Sequence, residues 1–178
     1  MNSNAESPFK VNLHELPRRA GEFRQYRLEF LAPQAIGVAL LEIPKSEPLG
    51  ISFKAESVDG GVLLTGEVIS HARGECGRCL DPIDFDIYQK FRELFLNTSR
   101  AGEVEDDADE IFSLDGDIAD LEVPIRDAVI LAMPINPLCQ SECLGLCPVC
   151  GLKWRELEKD HSHQASDPRW IGLADWKP

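Results

Sequence analysis

The cysteines of this chain have a spacing that suits metal binding. All six fall in two short motifs, namely Cys76-Gly-Arg-Cys79 and Cys139-x-x-x-Cys143-x-x-x-Cys147-Pro-Val-Cys150-Gly. Thiolates that lie this close in sequence, one pair followed by a turn-forming glycine, are typical of proteins that surround zinc with a tetrahedral shell of sulfur. The sequence therefore predicts bound zinc.

Two other uses of cysteine are less consistent with the sequence. Disulfides need an oxidising compartment, but the chain has no stretch that resembles a secretory signal or a transmembrane helix, so we expect a cytoplasmic protein with reduced thiols. Redox catalysis by Cys76 and Cys79 would need a thioredoxin-like active-site helix, and the sequence around this pair does not predict one.

Cys147 and Cys150 are the first ligands we assign, because Gly151 allows the sharp return that this kind of knuckle needs. The other two ligands have two sources. A local site would add Cys139 and Cys143 and is favoured because it closes short loops. The alternative second pair is Cys76 and Cys79, which would join the β-rich part to the C-terminal segment. His161 and His163 are weaker candidates, and the number of ions stays open.

The expected metal site is structural and not catalytic. Four sulfur ligands leave no coordination position for a water molecule, so the ion would not generate a hydroxide nucleophile. The sequence also has no H-E-x-x-H pair, no G-x-S-x-G, no phosphate-binding G-x-x-x-x-G-K-[ST] and no G-x-G-x-x-G. We therefore predict no catalytic residues and no enzymatic activity.

The charge of the chain is strongly negative and unevenly distributed. It has 31 acidic and 18 basic residues, for a net charge of -13, and residues 101–127 contain eleven acidic residues against one arginine. Such a run is usually a solvated loop, but it can also bind a basic partner such as a ribosomal protein by mimicking nucleic acid. The candidate partner-binding residues are Glu103, Glu105, Asp106, Asp107, Asp109 and Glu110.

Residues 9–96 show the patterns of β-strands. Ile36–Ile43 has an apolar character interrupted only by Glu42, Gly50–Ala55 alternates between apolar and polar residues, and Asp59-Gly60-Gly61 is a hairpin signal. Long strand-like runs precede and follow the Cys76–Cys79 motif, which we therefore place in a turn between two strands.

The pattern becomes helical after the acidic loop, which we place at about 101–119. A helix is expected at about 120–133, with Asp120 as N-cap, Pro124 in the first turn and apolar residues along one side. The predicted fold class is α+β: a mainly antiparallel curved sheet or partial barrel, one packing helix and a zinc-bound C-terminal segment. The predicted domains are a β-rich unit, 1–134, and a cysteine-rich segment with the C-terminal tail, 135–178.

Four sequence blocks taken together resemble the YceD family, the large ribosomal RNA subunit accumulation proteins of bacteria and plastids. The blocks are C-G-R-C-L-D-P at 76–82, D-L-E-V-P-I-R-D-A-V-I-L-A-M-P at 120–134, C-x-x-x-C-L-G-L-C-P-V-C-G at 139–151 and D-P-R-W-I-G-L at 167–173. The resemblance covers about residues 60–175. It points to all six cysteines and to Asp167, Pro168, Arg169 and Trp170, and it implies a role in the synthesis, processing or stability of 23S ribosomal RNA.

The charge limits how such a role could be carried out. A chain of net charge -13 is repelled by bulk RNA, so an RNA contact would be local, with Arg155, Arg169 and Trp170 as candidates. The expectation is a zinc-stabilised adaptor for assembly of the large ribosomal subunit, bound to 23S RNA directly or through a basic ribosomal protein. We expect neither a membrane nor a small-molecule substrate. The alternative is a thiol-dependent oxidoreductase or weak nuclease that uses the C-x-x-C pair.

Overall fold

The computed structural model describes residues 7–97, 112–163 and Arg169. Within these ranges one α-helix accompanies a mostly antiparallel set of strands, and no helix is long and apolar enough to span a membrane. The elements are β1 (Lys10–Asn12), β2 (Phe23–Leu31), β3 (Ile36–Val38), β4 (Leu41–Ile43), β5 (Pro48–Val58), β6 (Gly61–Glu75), β7 (Pro82–Asn97), β8 (Phe112–Leu114), β9 (Ile118–Asp120), α1 (Glu122–Ala132) and a short 3-10 helix (Trp154–Glu156).

Strand β6 organises the main sheet. It pairs antiparallel with β5 along one side and with β7 along the other, and β4 pairs with its C-terminal end. Strand β2 extends the sheet beyond β5, β3 extends it beyond β4, and β8 runs parallel to the end of β7. A separate two-stranded sheet joins β1 to β9. These pairings confirm the mainly antiparallel sheet that the sequence predicts, and among the described residues the sheet does not close into a barrel.

One face of the main sheet forms the core. On β7 every fourth residue is buried, namely Ile87, Phe91 and Phe95, and so are Leu64 and Val68 on β6. Because successive side chains of a strand point to opposite faces, the residues between them are mostly exposed. The long alternating runs in the sequence thus form one buried and one solvated face, as their pattern predicts.

The sequence analysis proposed one strand over the apolar run Ile36–Ile43, and this prediction is wrong. The run forms the hairpin β3–β4, with Ala39 and Leu40 in the turn and Ile36 opposite Ile43. The mostly apolar composition of the run conceals this turn from the sequence, because Ile36, Leu41 and Ile43 on the two strands are all buried in the same core.

Helix α1 covers part of the sheet, as its apolar stripe predicts. It packs against β7 and β3 and buries Pro124, Ile125 and Val129. Asp120 contributes at the N-terminus, since its Oδ1 accepts a hydrogen bond of 3.0 Å from the backbone N–H of Glu122, although the N-cap position itself is Leu121. The helix delivers the chain to the cysteine-rich segment.

Candidate metal centre

The Cys76–Cys79 motif forms a tight turn between β6 and β7, as predicted. The N–H of Cys76 donates to the carbonyl of Asp81 at 2.8 Å, and the N–H of Leu80 donates to the carbonyl of Cys76 at 3.0 Å. Leu80 adopts a left-handed conformation with φ of 59°. This turn holds both thiols at the same end of the main sheet, and both are buried.

The segment after α1 lies against this turn. The N–H of Gly77 donates to the carbonyl of Pro137 at 2.8 Å, and the Arg78 guanidinium donates to the carbonyl of Cys143 at 2.9 Å. Pro137 is buried, so the segment leaving α1 packs directly on the β6–β7 turn. These contacts bring Cys139 and Cys143 to the two cysteines of the turn.

Four thiols meet there and form what we call the four-thiol cluster: Cys76, Cys79, Cys139 and Cys143. Their sulfur atoms all lie within 4.8 Å of one another. Cys76 Sγ is 3.8 Å from Cys143 Sγ, and Cys79 Sγ is 3.6 Å from Cys139 Sγ. These distances exceed a disulfide bond, and all six cysteines, which lie in the described ranges, are free thiols.

The environment of the four-thiol cluster favours thiolate at one position and opposes it at another. Burial raises the pKa of Cys76, but hydrogen bonds from the backbone of Cys139, Arg78 and Cys79 outweigh it and bring the pKa to about 6. The backbone N–H of Asp81 lowers the pKa of Cys79, yet burial, the Asp81 carboxylate and the neighbouring thiols raise it above its ordinary value. A cation at the centre would offset the repulsion between closely spaced thiolates.

Asp81 links the four-thiol cluster to the chain that follows it. Its carboxylate accepts hydrogen bonds from the Cys79 thiol at 3.1 Å and from the Lys153 ammonium at 2.5 Å, and it forms an ion pair with Arg155 at 2.7 Å. The Lys153 hydrogen bond is the main reason that the pKa of Asp81 falls to about 2. The two cations also stand beside the thiols, where they would offset part of the negative charge of a thiolate-rich metal site.

The other two cysteines lie on a small hairpin. Leu146 pairs with Lys153, and the N–H of Cys147 donates to the carbonyl of Leu152 at 2.8 Å. The tip of this hairpin carries Cys147 and Cys150, whose thiols meet the imidazoles of the segment beyond the 3-10 helix. We call this group the Cys2His2 cluster: Cys147, Cys150, His161 and His163, whose ligand atoms also lie within 4.8 Å of one another.

The structure therefore distributes the cysteines differently from the favoured local site. Cys139 and Cys143 do not join Cys147 and Cys150 but lie with Cys76 and Cys79. The physical reason is that the contacts of Pro137 and Arg78 place the residues after α1 on the β6–β7 turn, whereas the hairpin directs its tip elsewhere. His161 and His163, ranked low in the sequence, lie beside Cys147 and Cys150. The signal for them was the H-x-H pair downstream of the last cysteine.

The structure describes only two of the residues proposed to contact RNA or a protein partner, Arg155 and Arg169. Arg155 is exposed but is engaged with Asp81, and Arg169 is exposed and also makes an interaction within the protein. Trp170 and the acidic residues Glu103–Glu110 lie outside the described residues. Their roles stay predictions.

The open sheet, its packing helix and the two clusters define a β-rich protein with a cysteine-rich C-terminal segment that could hold metal ions. A sequence model described as "Large ribosomal RNA subunit accumulation protein YceD" matches residues 64–177. The chain belongs to the YceD family.

Relatives of the chain include uncharacterized mycobacterial proteins. One from Mycobacterium tuberculosis (strain ATCC 25618 / H37Rv) is 37% identical over 169 residues, which cover 95% of this chain and 81% of the relative. One from Mycobacterium leprae is 31% identical, with 95% of this chain and 77% of the relative covered. The uncharacterized protein YlbN of Bacillus subtilis is 22% identical and covers 90% of each chain. No solved structure matches.

Proposed function

We propose that this protein is a non-catalytic factor for the accumulation of 23S ribosomal RNA and assembly of the large ribosomal subunit. It acts in the cytoplasm as an adaptor, and a zinc ion in the four-thiol cluster stabilises it. The family description implies the ribosomal RNA role. The four-thiol cluster is the observation that carries the structural part of the proposal.

The sulfur spacing supports zinc. Four sulfurs at the corners of a tetrahedron, each about 2.3 Å from zinc, are about 3.8 Å apart. Two of the sulfur–sulfur distances in the cluster are 3.8 and 3.6 Å and none exceeds 4.8 Å, so zinc would bind with a small inward movement of the thiols. The donors are sulfur atoms held by a hydrogen-bonded turn and a packed segment. Sulfur donors bind zinc in preference to magnesium or calcium, which bind oxygen ligands.

The same geometry argues against catalysis at this cluster. Four sulfur ligands complete a tetrahedral shell, and three of the four cysteines are buried. Zinc here would therefore hold the segment after α1 on the β6–β7 turn, which fixes the C-terminal part of the chain relative to the sheet. That arrangement suits a protein that presents surfaces to partners.

The net charge favours a basic protein as the immediate partner. At -13 the chain is repelled by bulk RNA, whereas a basic ribosomal protein would be attracted to it. Ribosomal RNA would then be reached through that protein. Direct contact through Arg155, Arg169 and Trp170 is the second route, and it would first have to release Arg155 from Asp81.

Affinity capture of the tagged protein tests this proposal. We expect 23S precursors and large-subunit proteins to be enriched, and the protein partners to survive ribonuclease if the adaptor route is right. A variant with Glu103, Glu105, Asp106, Asp107, Asp109 and Glu110 changed to Gln or Asn should capture less basic protein. A control with a smaller change of charge neutralises Asp84 and Asp86, which are exposed acids on β7 paired with Arg73 and His71. Absence of both ribosomal RNA and ribosomal proteins from the capture would contradict the proposal.

The oxidoreductase alternative has one observation in its favour, the lowered pKa of Cys76 at about 6. Its thiol is 0% exposed, however, so a protein disulfide cannot reach it without opening the turn. Alkylation of the zinc-loaded protein with iodoacetamide separates the two functions. Rapid modification of Cys76 or Cys79 would favour thiol chemistry, and protection of both would favour the structural role.

A further inference from the structure

The Cys2His2 cluster is separate from the four-thiol cluster and has a different donor set. Two of its donors come from the tip of the hairpin, and the two imidazoles come from residues beyond the 3-10 helix at Trp154–Glu156. The chain must turn back between Cys147 and His163 for the four donor atoms to lie within 4.8 Å of one another. The local backbone supplies those turns.

The hairpin tip has the backbone of a zinc knuckle. The N–H of Gly151 donates to the carbonyl of Cys147 at 2.8 Å, and Gly151 adopts a φ of 72°, which a side chain would disfavour. This turn sets the Cys147 and Cys150 side chains on the same side. Two thiolates three residues apart, followed by a left-handed glycine, are a standard half of a tetrahedral zinc site.

The other half is built by the return of the chain. After the 3-10 helix, a turn in which the N–H of His161 donates to the carbonyl of Glu158 at 3.0 Å brings the histidines to the knuckle. The His161 ring packs edge-on against Trp154 with centroids 5.5 Å apart and against His163 at 4.4 Å. The His161 ring thus contacts both Trp154 and His163, and this contact brings the exposed His163 ring to the same group.

The distance between donors of unlike type also fits zinc. Cys150 Sγ lies 3.6 Å from His161 Nε2. A sulfur at about 2.3 Å and a nitrogen at about 2.0–2.1 Å on two corners of a zinc tetrahedron are separated by about 3.6 Å. The arrangement therefore needs little adjustment to accept the ion.

We propose that Cys147, Cys150, His161 and His163 bind a second zinc ion, so that the chain carries two ions in chemically different sites. This second site is independent of the ribosomal role. Cys150 and His163 are exposed, whereas three of the four residues in the four-thiol cluster are buried. The second ion consequently exchanges faster than the first.

The two sites also differ in what they hold together. Lys153 and Arg155, on the hairpin and the 3-10 helix, are already joined to Asp81 beside the four-thiol cluster. The second ion instead ties the residues around His161 to the hairpin tip. Removing it should therefore leave the first site intact.

Metal analysis of the purified full-length chain tests this inference. After reconstitution with zinc under reducing conditions, we expect two equivalents of zinc in the native protein and one in the double variant His161→Gln/His163→Gln. The matched control is His14→Gln/His71→Gln, which changes the other two histidines; both are exposed and paired with carboxylates. The control should keep two equivalents. One equivalent in the native protein, or two in the His161/His163 variant, would overturn the proposal.

Cobalt substitution identifies the donors at each site. The native protein should show the absorption of one four-sulfur and one mixed sulfur–nitrogen site, and the double variant should keep only the four-sulfur spectrum. If the double variant instead loses both ions, the single variant His163→Cys tests the second site, because it replaces one nitrogen donor by a sulfur donor. We expect it to keep two equivalents and to shift the cobalt bands of the second site to longer wavelength. An unchanged cobalt spectrum in His163→Cys would refute the assignment.

Discussion

Replacing Cys139 by Ser should test how much the four-thiol cluster contributes to stability. Cys139 is the exposed member of the cluster, so the substitution leaves no hole in the core. It removes one of the four zinc ligands, and we expect the three remaining sulfurs to bind zinc too weakly to retain it. Loss of the ion then removes the cross-link between the segment after α1 and the β6–β7 turn. The matched control is Gln140→Ser, the exposed neighbour that carries no ligand.

The size of the effect follows from the loop that the metal closes. Cys79 and Cys139 are 60 residues apart, and a cross-link of that span reduces the entropy of the unfolded chain by an amount equivalent to about 4 kcal/mol. If α1 stays docked on β7 when zinc leaves, only the segment from Met133 to Cys139 is released. The same relation then gives about 2 kcal/mol.

Urea unfolding of zinc-loaded protein, combined with hydrogen exchange of the segment 135–157, distinguishes these limits. We expect Cys139→Ser to lose about 2–4 kcal/mol of unfolding free energy and to exchange faster in that segment, with Gln140→Ser near the native protein. A loss at the lower limit with exchange confined to the segment indicates local release. Cys139→Ser within about 0.5 kcal/mol of the native protein, with unchanged exchange, would refute a structural metal at this cluster.

Further predictions concern the sheet and its charges. Phe95→Ala should lose about 3–5 kcal/mol of unfolding free energy with or without zinc, because Phe95 is fully buried and stacks on Phe112; zinc-dependent loss would contradict this. Gly66→Val should destabilise by at least about 2 kcal/mol in thermal unfolding, since a Cβ there would lie 2.3 Å from a carbonyl oxygen of β5; native-like melting would show that the sheet can separate. Burial, and then Asp127, raise the pKa of Glu93, so the folded state binds its proton more tightly than the unfolded state and stability falls as pH rises through the folded pKa. Glu93→Gln should therefore melt higher than the native protein at pH 7, with the difference shrinking toward pH 4, and a difference independent of pH would exclude this cause.

Local sequence patterns predicted the strands and the helix well where an element buries only one of its faces. The alternation in β6 and β7 and the stripe of α1 each reflect burial on one side, so the pattern alone locates them. The pattern was not sufficient at Ile36–Ile43. There the buried residues Ile36, Leu41 and Ile43 lie on both strands of the hairpin, and the turn at Ala39–Leu40 is decided by the pairing of β4 with β6.

The residue types determined that the chain would bring thiols together, but not which ones. Cys-x-x-Cys spacing fixes pairs, because two residues in one turn share a side of the backbone whatever the rest of the chain does. Cys76 with Cys79, and Cys147 with Cys150, were therefore predictable as pairs.

The partners of each pair were decided only by the tertiary structure. Short loops favoured joining Cys139 and Cys143 to the knuckle, but loop entropy grows slowly with length, and the packing of Pro137 and the hydrogen bond from Arg78 outweigh that small advantage. The same packing leaves the knuckle facing His161 and His163. The sequence determined the chemistry of the donors, and long-range contacts determined which donors share a site.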